Sequence, residues 1–125
     1  MPDLEKRPVK FIISGIGEAE GELFRHKAPH SVRETWYSLP LTGRVMPYED
    51  VGLYFLVNYQ VKLENAVAKV EAGDIAYSPM NKGLYVFWDA AEPYSEVNVI
   101  GKITQNLDLF KDVKKLARIT LERRE

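Results

Sequence analysis

Only one substantial stretch of this sequence carries a helical period. In Pro29–Leu39, the side chains of Val32, Trp36 and Leu39 fall at i, i+4 and i+7, on one face of a helix. Pro29 suits a first helical turn, Ser31 and Glu34 have capping-box spacing, and Pro40 ends the segment. Nearly every other apolar run is short, rich in β-branched or aromatic residues, and closed by a turn signal. A chain patterned this way must build a sheet. About eight short strands with one good helix predict a mainly β, closed barrel, the arrangement that leaves no strand edge exposed.

The strands can be placed by alternation. Val9–Ile16 runs into Gly15 and Gly17, and after the turn Glu18-Ala19-Glu20-Gly21-Glu22 a second strand over Glu22–His26 completes a hairpin. Thr42–Pro47 and Val51–Val57 flank a Tyr48-Glu49-Asp50 turn. In the second of these, Leu53, Phe55 and Val57 oppose Tyr54 and Leu56, so both faces are apolar and the strand is expected to be central, covered on both sides. Ala66–Val70 reads as a weaker strand, followed by Ile75–Ser78, Leu84–Trp88 and Val97–Ile103, the last with Gly101 at a bulge. Asn106 is placed to cap a short second helix through Val113, and Leu116–Arg123 alternates as a final strand.

With 125 residues the chain is expected to form a single domain over 1–125, with residues 1–8 loosely ordered. Such a length can bury about two-thirds of the unfolded surface without a covalent staple. There is no cysteine, so disulfides, thiolate metal sites and cysteine nucleophiles are excluded. The start, Met1-Pro2-Asp3-Leu4-Glu5-Lys6-Arg7, reads as neither a secretory signal nor a membrane span, and a cytoplasmic location is expected. Lys and Arg number 17 against 18 Asp and Glu, a balance that gives no pull toward nucleic acid or anionic membrane.

Several stretches, in this order, resemble the cyclophilin-like family of small bacterial and archaeal proteins. They are Pro29…Leu39-Pro40, Leu41-Thr42-Gly43-Arg44, Leu53-Tyr54-Phe55, Val70-Glu71-Ala72-Gly73-Asp74-Ile75-Ala76-Tyr77-Ser78-Pro79, and Val97-Asn98-Val99-Ile100-Gly101-Lys102-Ile103. The resemblance implies a minimal, closed eight-stranded cyclophilin-type barrel and brings no established substrate. True cyclophilins are prolyl isomerases: an arginine hydrogen-bonds near the proline nitrogen of the twisted X-Pro bond, beside an apolar proline pocket. They carry Phe-His-Arg after the first helix and a Ser-Gln-Phe-Phe segment. This chain has neither, since Arg44 follows Gly43 and neither Gln60 nor Gln105 has the Phe-Phe that follows Gln in that segment.

Arg44 is therefore the best polar candidate for a site, and its structural alternative is an ion pair with Glu49 or Asp50 across the turn. Tyr54, Tyr77, Tyr85 and Phe87 are candidates to line a ligand pocket, or else pack as core. Glu49 and Asp50 are adjacent acids at a turn, a position that usually serves only to solvate it. His26 and His30 lie four apart but are separated by Pro29, and with no third ligand no metal site or cofactor is expected. Gly15-Ile16-Gly17 and Gly73-Asp74 lack the strand-to-helix spacing of phosphate loops. The basic tail, Lys111, Lys114, Lys115, Arg118, Arg123 and Arg124, is interleaved with Asp112 and Glu122 and reads as a solvated face.

The function expected is a non-catalytic binding module for an extended peptide or small apolar ligand near Arg44, self-association into a homo-oligomer being a further option. The alternative is a prolyl isomerase of altered active site. The charge balance generates the first prediction: at physiological salt, binding to duplex or single-stranded nucleic acid should be absent or weaker than micromolar in a titration, because no excess positive charge exists to release counterions. Micromolar binding lost on reversing the charges of Lys114 and Lys115 would contradict it.

Overall fold

The computed structural model describes residues 6–25 and 27–124. The strands are β1 (Lys6–Ile13), β2 (Gly17–Phe24), β3 (Leu41–Arg44), β4 (Met46–Tyr48), β5 (Gly52–Leu56), β6 (Asp74–Ser78), β7 (Gly83–Phe87), β8 (Asn98–Gln105) and β9 (Arg118–Arg123). Helix α1 (Pro29–Ser38) and a 3-10 helix (Leu107–Asp112) complete the elements. All the strands belong to one antiparallel sheet of order β3-β9-β1-β2-β8-β6-β7-β5-β4. The chain is mainly β, as expected. None of the described helices is long and apolar enough to cross a membrane.

The two ends of this sheet, β3 and β4, are halves of one bent strand. At Val45 the backbone N–H donates to the Ala117 carbonyl at 2.9 Å, and the Val45 carbonyl accepts from the Leu116 N–H at 2.7 Å. The strand thus pairs first with β9 and then, past the bend, with β5. The result is a nearly closed barrel, counted as nine strands among the described residues where eight were expected, because the Thr42–Pro47 run is interrupted at Val45. Closure brings β3 hard against β5: a Cβ on Gly43 would lie 2.8 Å from Cδ2 of Phe55.

The interior is filled by alternate residues of each strand, among them Val9, Phe11, Ile13, Leu53, Phe55, Leu84, Val86, Ile119 and Leu121. Phe110 of the 3-10 helix plugs it edge-on to Phe11, with centroids 5.4 Å apart. The bulge expected on β8 is present: Ile75 pairs with Gly101 and Ala76 with Val99, leaving Ile100 unpaired and buried.

Several boundaries differ from expectation for identifiable reasons. β2 begins at Gly17, not Glu22, because Ala19 and Gly21 are small inward-facing residues alternating with outward Glu18, Glu20 and Glu22. β1 begins at Lys6, inside the segment expected to be loose, while residues 1–5 and His26 lie outside the described residues. β5 is not central: its neighbours are β7 and the short β4, and Leu56 is exposed. Ala66–Val70 is no strand but two isolated bridges, Val67 to Val97 and Val70 to Ala91. Asn106 does not cap through its side chain; it takes a left-handed conformation and its Nδ2 donates to the Glu18 carbonyl.

Helix α1 also departs from its capping box. Its N-cap is Ala28, without a side-chain cap, and the work falls to Glu64. One Glu64 oxygen accepts from the Ser31 N–H at 2.7 Å and the Ser31 hydroxyl at 2.9 Å, and the other from the His30 N–H at 2.9 Å. A carboxylate on free N–H groups at the positive end of a helix is doubly favourable. Asn98, fully buried, accepts from the Glu64 N–H and donates to Ser31 Oγ and the Lys62 carbonyl, so loop, helix and β8 are tied together. The buried helix face is Ser31, Val32 and Thr35, and Trp36 is only half-buried, where full burial would follow from the Val32–Trp36–Leu39 stripe. The stripe does face the core, Val32 inside it and Trp36 and Leu39 packed against its rim, and the polar anchor at Ser31 fixes the helix rotation with it.

Burial alone would raise the Glu64 pKa, but the His30 and Ser31 donors and the nearby His30 ring outweigh it and hold the carboxyl below its ordinary value of 4.5. A depressed folded-state value means stability present above the unfolded titration and lost as pH falls through the folded one. Replacing Glu64 with Ala should therefore cost about 1–2 kcal/mol at neutral pH, and the deficit should shrink well below pH 4.5. Urea unfolding of native and variant protein at both pH values checks this, and an equal deficit at both would contradict it.

Candidate functional site

The outward-facing residues of β4, β5 and β7 form two aromatic rungs. Met46 opposes Tyr54, and Tyr54 opposes Tyr85; one step along, Tyr48 opposes Gly52, and Gly52 opposes Phe87. Tyr54 stacks on Tyr85 with centroids 4.7 Å apart and planes at 20°, and Tyr85 lies nearly parallel to Phe87. Tyr48 stands edge-on to both Tyr85 and Phe87 and also meets Tyr94. Such offset and edge contacts are the favoured aromatic geometries. Together with Val70, Val97 and Val99 these rings make a second apolar cluster, on the outside of the barrel wall.

The shelf is open at one side. Tyr54 is half-buried, while Met80 is 67% and Tyr94 76% exposed. Met80, Tyr48, Tyr85, Pro93 and Tyr94 border a small cleft of about 20 Å³. Gly83 lets the two stacked rings approach the backbone, since a Cβ there would stand 2.8 Å from Cε1 of Tyr85 and 3.3 Å from Cδ2 of Tyr54.

Polar groups at the rim are hydrogen-bonding groups. Asn81 Nδ2 donates to the Tyr85 hydroxyl at 2.9 Å, and Asn81 Oδ1 accepts from the Gly83 N–H. Burial pushes the Tyr85 phenol up, and the Glu49 carboxylate that accepts from the Tyr94 hydroxyl pushes that phenol up too. Both remain neutral at ordinary pH, able to donate, accept and stack. Of the Glu49-Asp50 pair, the Glu49 carboxylate takes the Tyr94 hydroxyl at the rim, and the Asp50 backbone carbonyl accepts from Trp88 Nε1.

Of the residues singled out from the sequence, Tyr54, Tyr85 and Phe87 come together here. Tyr77 does not. It lies in the barrel interior, stacked on Tyr59 at 5.6 Å, its hydroxyl donating to the Tyr59 carbonyl and accepting from the Val61 N–H. Tyr59 in turn shares a hydrogen bond with Thr35 of α1 at 2.6 Å, and burial raises both phenols. Arg44 is exposed on β3, opposite Arg118, and its Nη1 donates weakly to the Leu116 carbonyl at 3.4 Å. It makes no ion pair with Glu49 or Asp50 among the described residues, because the bend at Val45 separates it from that turn. His30 contacts Glu64 through Nδ1 at 2.9 Å.

Tyr48, Met80 and Tyr94 escaped the sequence reading, although Tyr48 is separated from the outward Met46 by the two-residue period of a strand. A second region it missed lies at the barrel mouth, where Arg7, Arg25, Arg33, His30, Trp36 and Tyr37 line a cleft of about 430 Å³.

Residues 7–122 match the family described as Cyclophilin-like. The solution structure of the hypothetical protein AF2241 from Archaeoglobus fulgidus is similar over 96% of each chain, with 29% identity and a TM-score of 0.79. McbB, solved in complex with tryptophan, is similar over 93% of this chain and 44% of its own, with a TM-score of 0.78 and 14% identity, a likeness of fold alone. No curated protein matches the chain.

The stack over Gly83 generates a structural prediction. Gly83→Ala should destabilise the protein by about 1–3 kcal/mol, the usual penalty of overpacking, and should shift the ring resonances of Tyr54 and Tyr85 in an NMR spectrum. An unperturbed stack in the variant would show that Gly83 does not set the approach of those rings.

Proposed function

This chain belongs to the cyclophilin-like family, and on that premise we propose that it is a non-catalytic binding module whose outer aromatic shelf takes up an extended peptide or a small apolar ligand. The observation that carries the reading is the Tyr54–Tyr85 stack, supported from behind by Phe87 and Tyr48 and flanked by exposed Met80 and Tyr94. Rigid aromatic rings already held in place lose little side-chain freedom on binding, and a thioether adapts to varied shapes. Tyr85, whose hydroxyl accepts from Asn81, keeps its O–H to donate, and Tyr94, whose O–H goes to Glu49, keeps lone pairs to accept from a ligand. Arg44 lies one strand repeat from Met46, the partner of Tyr54, and its weak tie to Leu116 leaves it able to turn to a ligand carbonyl or carboxylate. The lack of cysteine supports a reducing, cytoplasmic setting.

Prolyl isomerisation finds less support. Its catalysis asks for a donor fixed beside a proline-sized pocket, and a misplacement of about 1 Å can cost on the order of a hundredfold. Here Arg44 is not among the residues that line the cleft at the shelf, and its Nη1 points to the Leu116 carbonyl. The test is a model proline tetrapeptide, followed both as a ligand and as a substrate. Uncatalysed isomerisation takes about 10–100 s, and the native protein should not shorten it. Binding should perturb the Tyr54, Tyr85 and Tyr94 resonances and weaken about tenfold in Tyr54→Ala. Acceleration abolished in Arg44→Ala would make the protein an isomerase instead, and binding that leaves those rings unmoved would remove the shelf from consideration.

A further inference from the structure

At one mouth of the barrel, three strands that are neighbours in the sheet, β9, β1 and β2, end their inward rows in arginine. On β1 the row runs Ile13, Phe11, Val9 and then Arg7; on β9 it runs Ile119, Leu121 and then Arg123; on β2 it ends at Leu23, with Arg25 just beyond the strand. The register sets Arg123 opposite Val9 and Arg7 opposite Leu23, and residues opposite one another share a face of the sheet. A guanidinium is too costly to carry into an apolar interior, so side chains in these positions turn to the rim. Helix α1 crosses the same rim. The Arg123 and Arg7 guanidiniums lie 4.5 and 5.3 Å from the Trp36 ring centroid, and Arg123 Nη2 donates to the Trp36 carbonyl at 3.1 Å.

Two features distinguish this cleft from an ordinary charged rim. Neither Arg25 nor Arg33 has an acidic partner among the described residues, whereas Glu64, at the edge, is taken up by His30 and the helix N-terminus. The chain as a whole carries a formal charge of -1, so Arg7, Arg25 and Arg33 in one cleft are a local excess against the overall balance. Tyr37, 69% exposed, adds an aromatic surface beside Trp36. The volume of about 430 Å³ is that of a small-molecule site.

We propose that this cleft binds a small organic phosphate carrying a flat apolar group. Arg25 and Arg33 each present a planar fork of donors, and a phosphate, with more than two acceptor oxygens and close to two charges, can engage both. A carboxylate has two oxygens and is satisfied by one fork. The flat group lies against the exposed Tyr37 ring, beside the Trp36 ring that Arg7 and Arg123 cover.

Phenyl phosphate, inorganic phosphate and benzoate distinguish these features in calorimetric titrations at low salt. Phenyl phosphate should bind saturably below about 1 mM, about tenfold more tightly than either comparison anion, and should weaken about tenfold in Arg25→Ala and in Arg33→Ala. Both positions are exposed, and circular dichroism would verify that each variant keeps its fold. Absence of saturable binding, indifference to both substitutions, or benzoate as tight as phenyl phosphate would overturn the proposal.

Discussion

Val45 holds the two ends of the sheet together, its N–H given to Ala117 and its carbonyl taken by Leu116, while the strand it belongs to bends from β9 toward β5. Two things make that bend feasible. Gly43 has no side chain to obstruct Phe55, and the alternation continues unbroken through the bend, so Arg44, Met46 and Tyr48 share the outward parity. Closure leaves the pairing edges of the sheet short, which protects a small β protein from edge-to-edge association. It also decides where the aromatic shelf lies. Past the bend, Met46 and Tyr48 join β5 and β7 to make the aromatic shelf. On the other side of the barrel, β9, β1 and β2 pair directly with one another and bring their arginines to one mouth.

The helix is attached by different physics. Its buried face is polar as well as apolar, with Ser31 and Thr35 beside Val32, and each polar group has a partner. Ser31 meets Glu64 and Asn98; Thr35 meets Tyr59, whose carbonyl accepts from the Tyr77 hydroxyl in the barrel interior. A fully satisfied buried network of this kind fixes one arrangement, because any rotation of the helix would strand a donor or acceptor away from water. The same network explains why Trp36 is left half-buried at the mouth, where arginines can stack on it.

Most of the strands were legible because alternation is a local property. The hairpin, the paired runs around Tyr48-Glu49-Asp50, the β8 bulge near Gly101 and the final strand through Ile119 and Leu121 all follow from it. Glu18–Glu22 reads as a turn from sequence because its inward residues are Ala19 and Gly21, too small to register as an apolar row. Site assembly was less legible, since it depends on register between strands. Tyr77 pairs with Leu84 and so faces the interior, whereas Tyr85, one residue on, faces out with Tyr54. Nothing in a single sequence links Glu64 to a helix end more than thirty residues away. The arginine mouth did leave a signal: each inward row, followed one more step past its last apolar residue, ends on Arg7, Arg123 or Arg25.

Because the barrel closes through the bend at Val45, amide hydrogen exchange at that point is the most direct test of the account. The amides of Val45 and Leu116 should exchange as slowly as those of Phe11 and Leu121 in the paired strands, since local opening there would unzip the barrel. Exchange of Val45 and Leu116 at loop-like rates, with β1 and β9 still protected, would show that the bend is not held to the segment leading into β9 and that the barrel is not closed there.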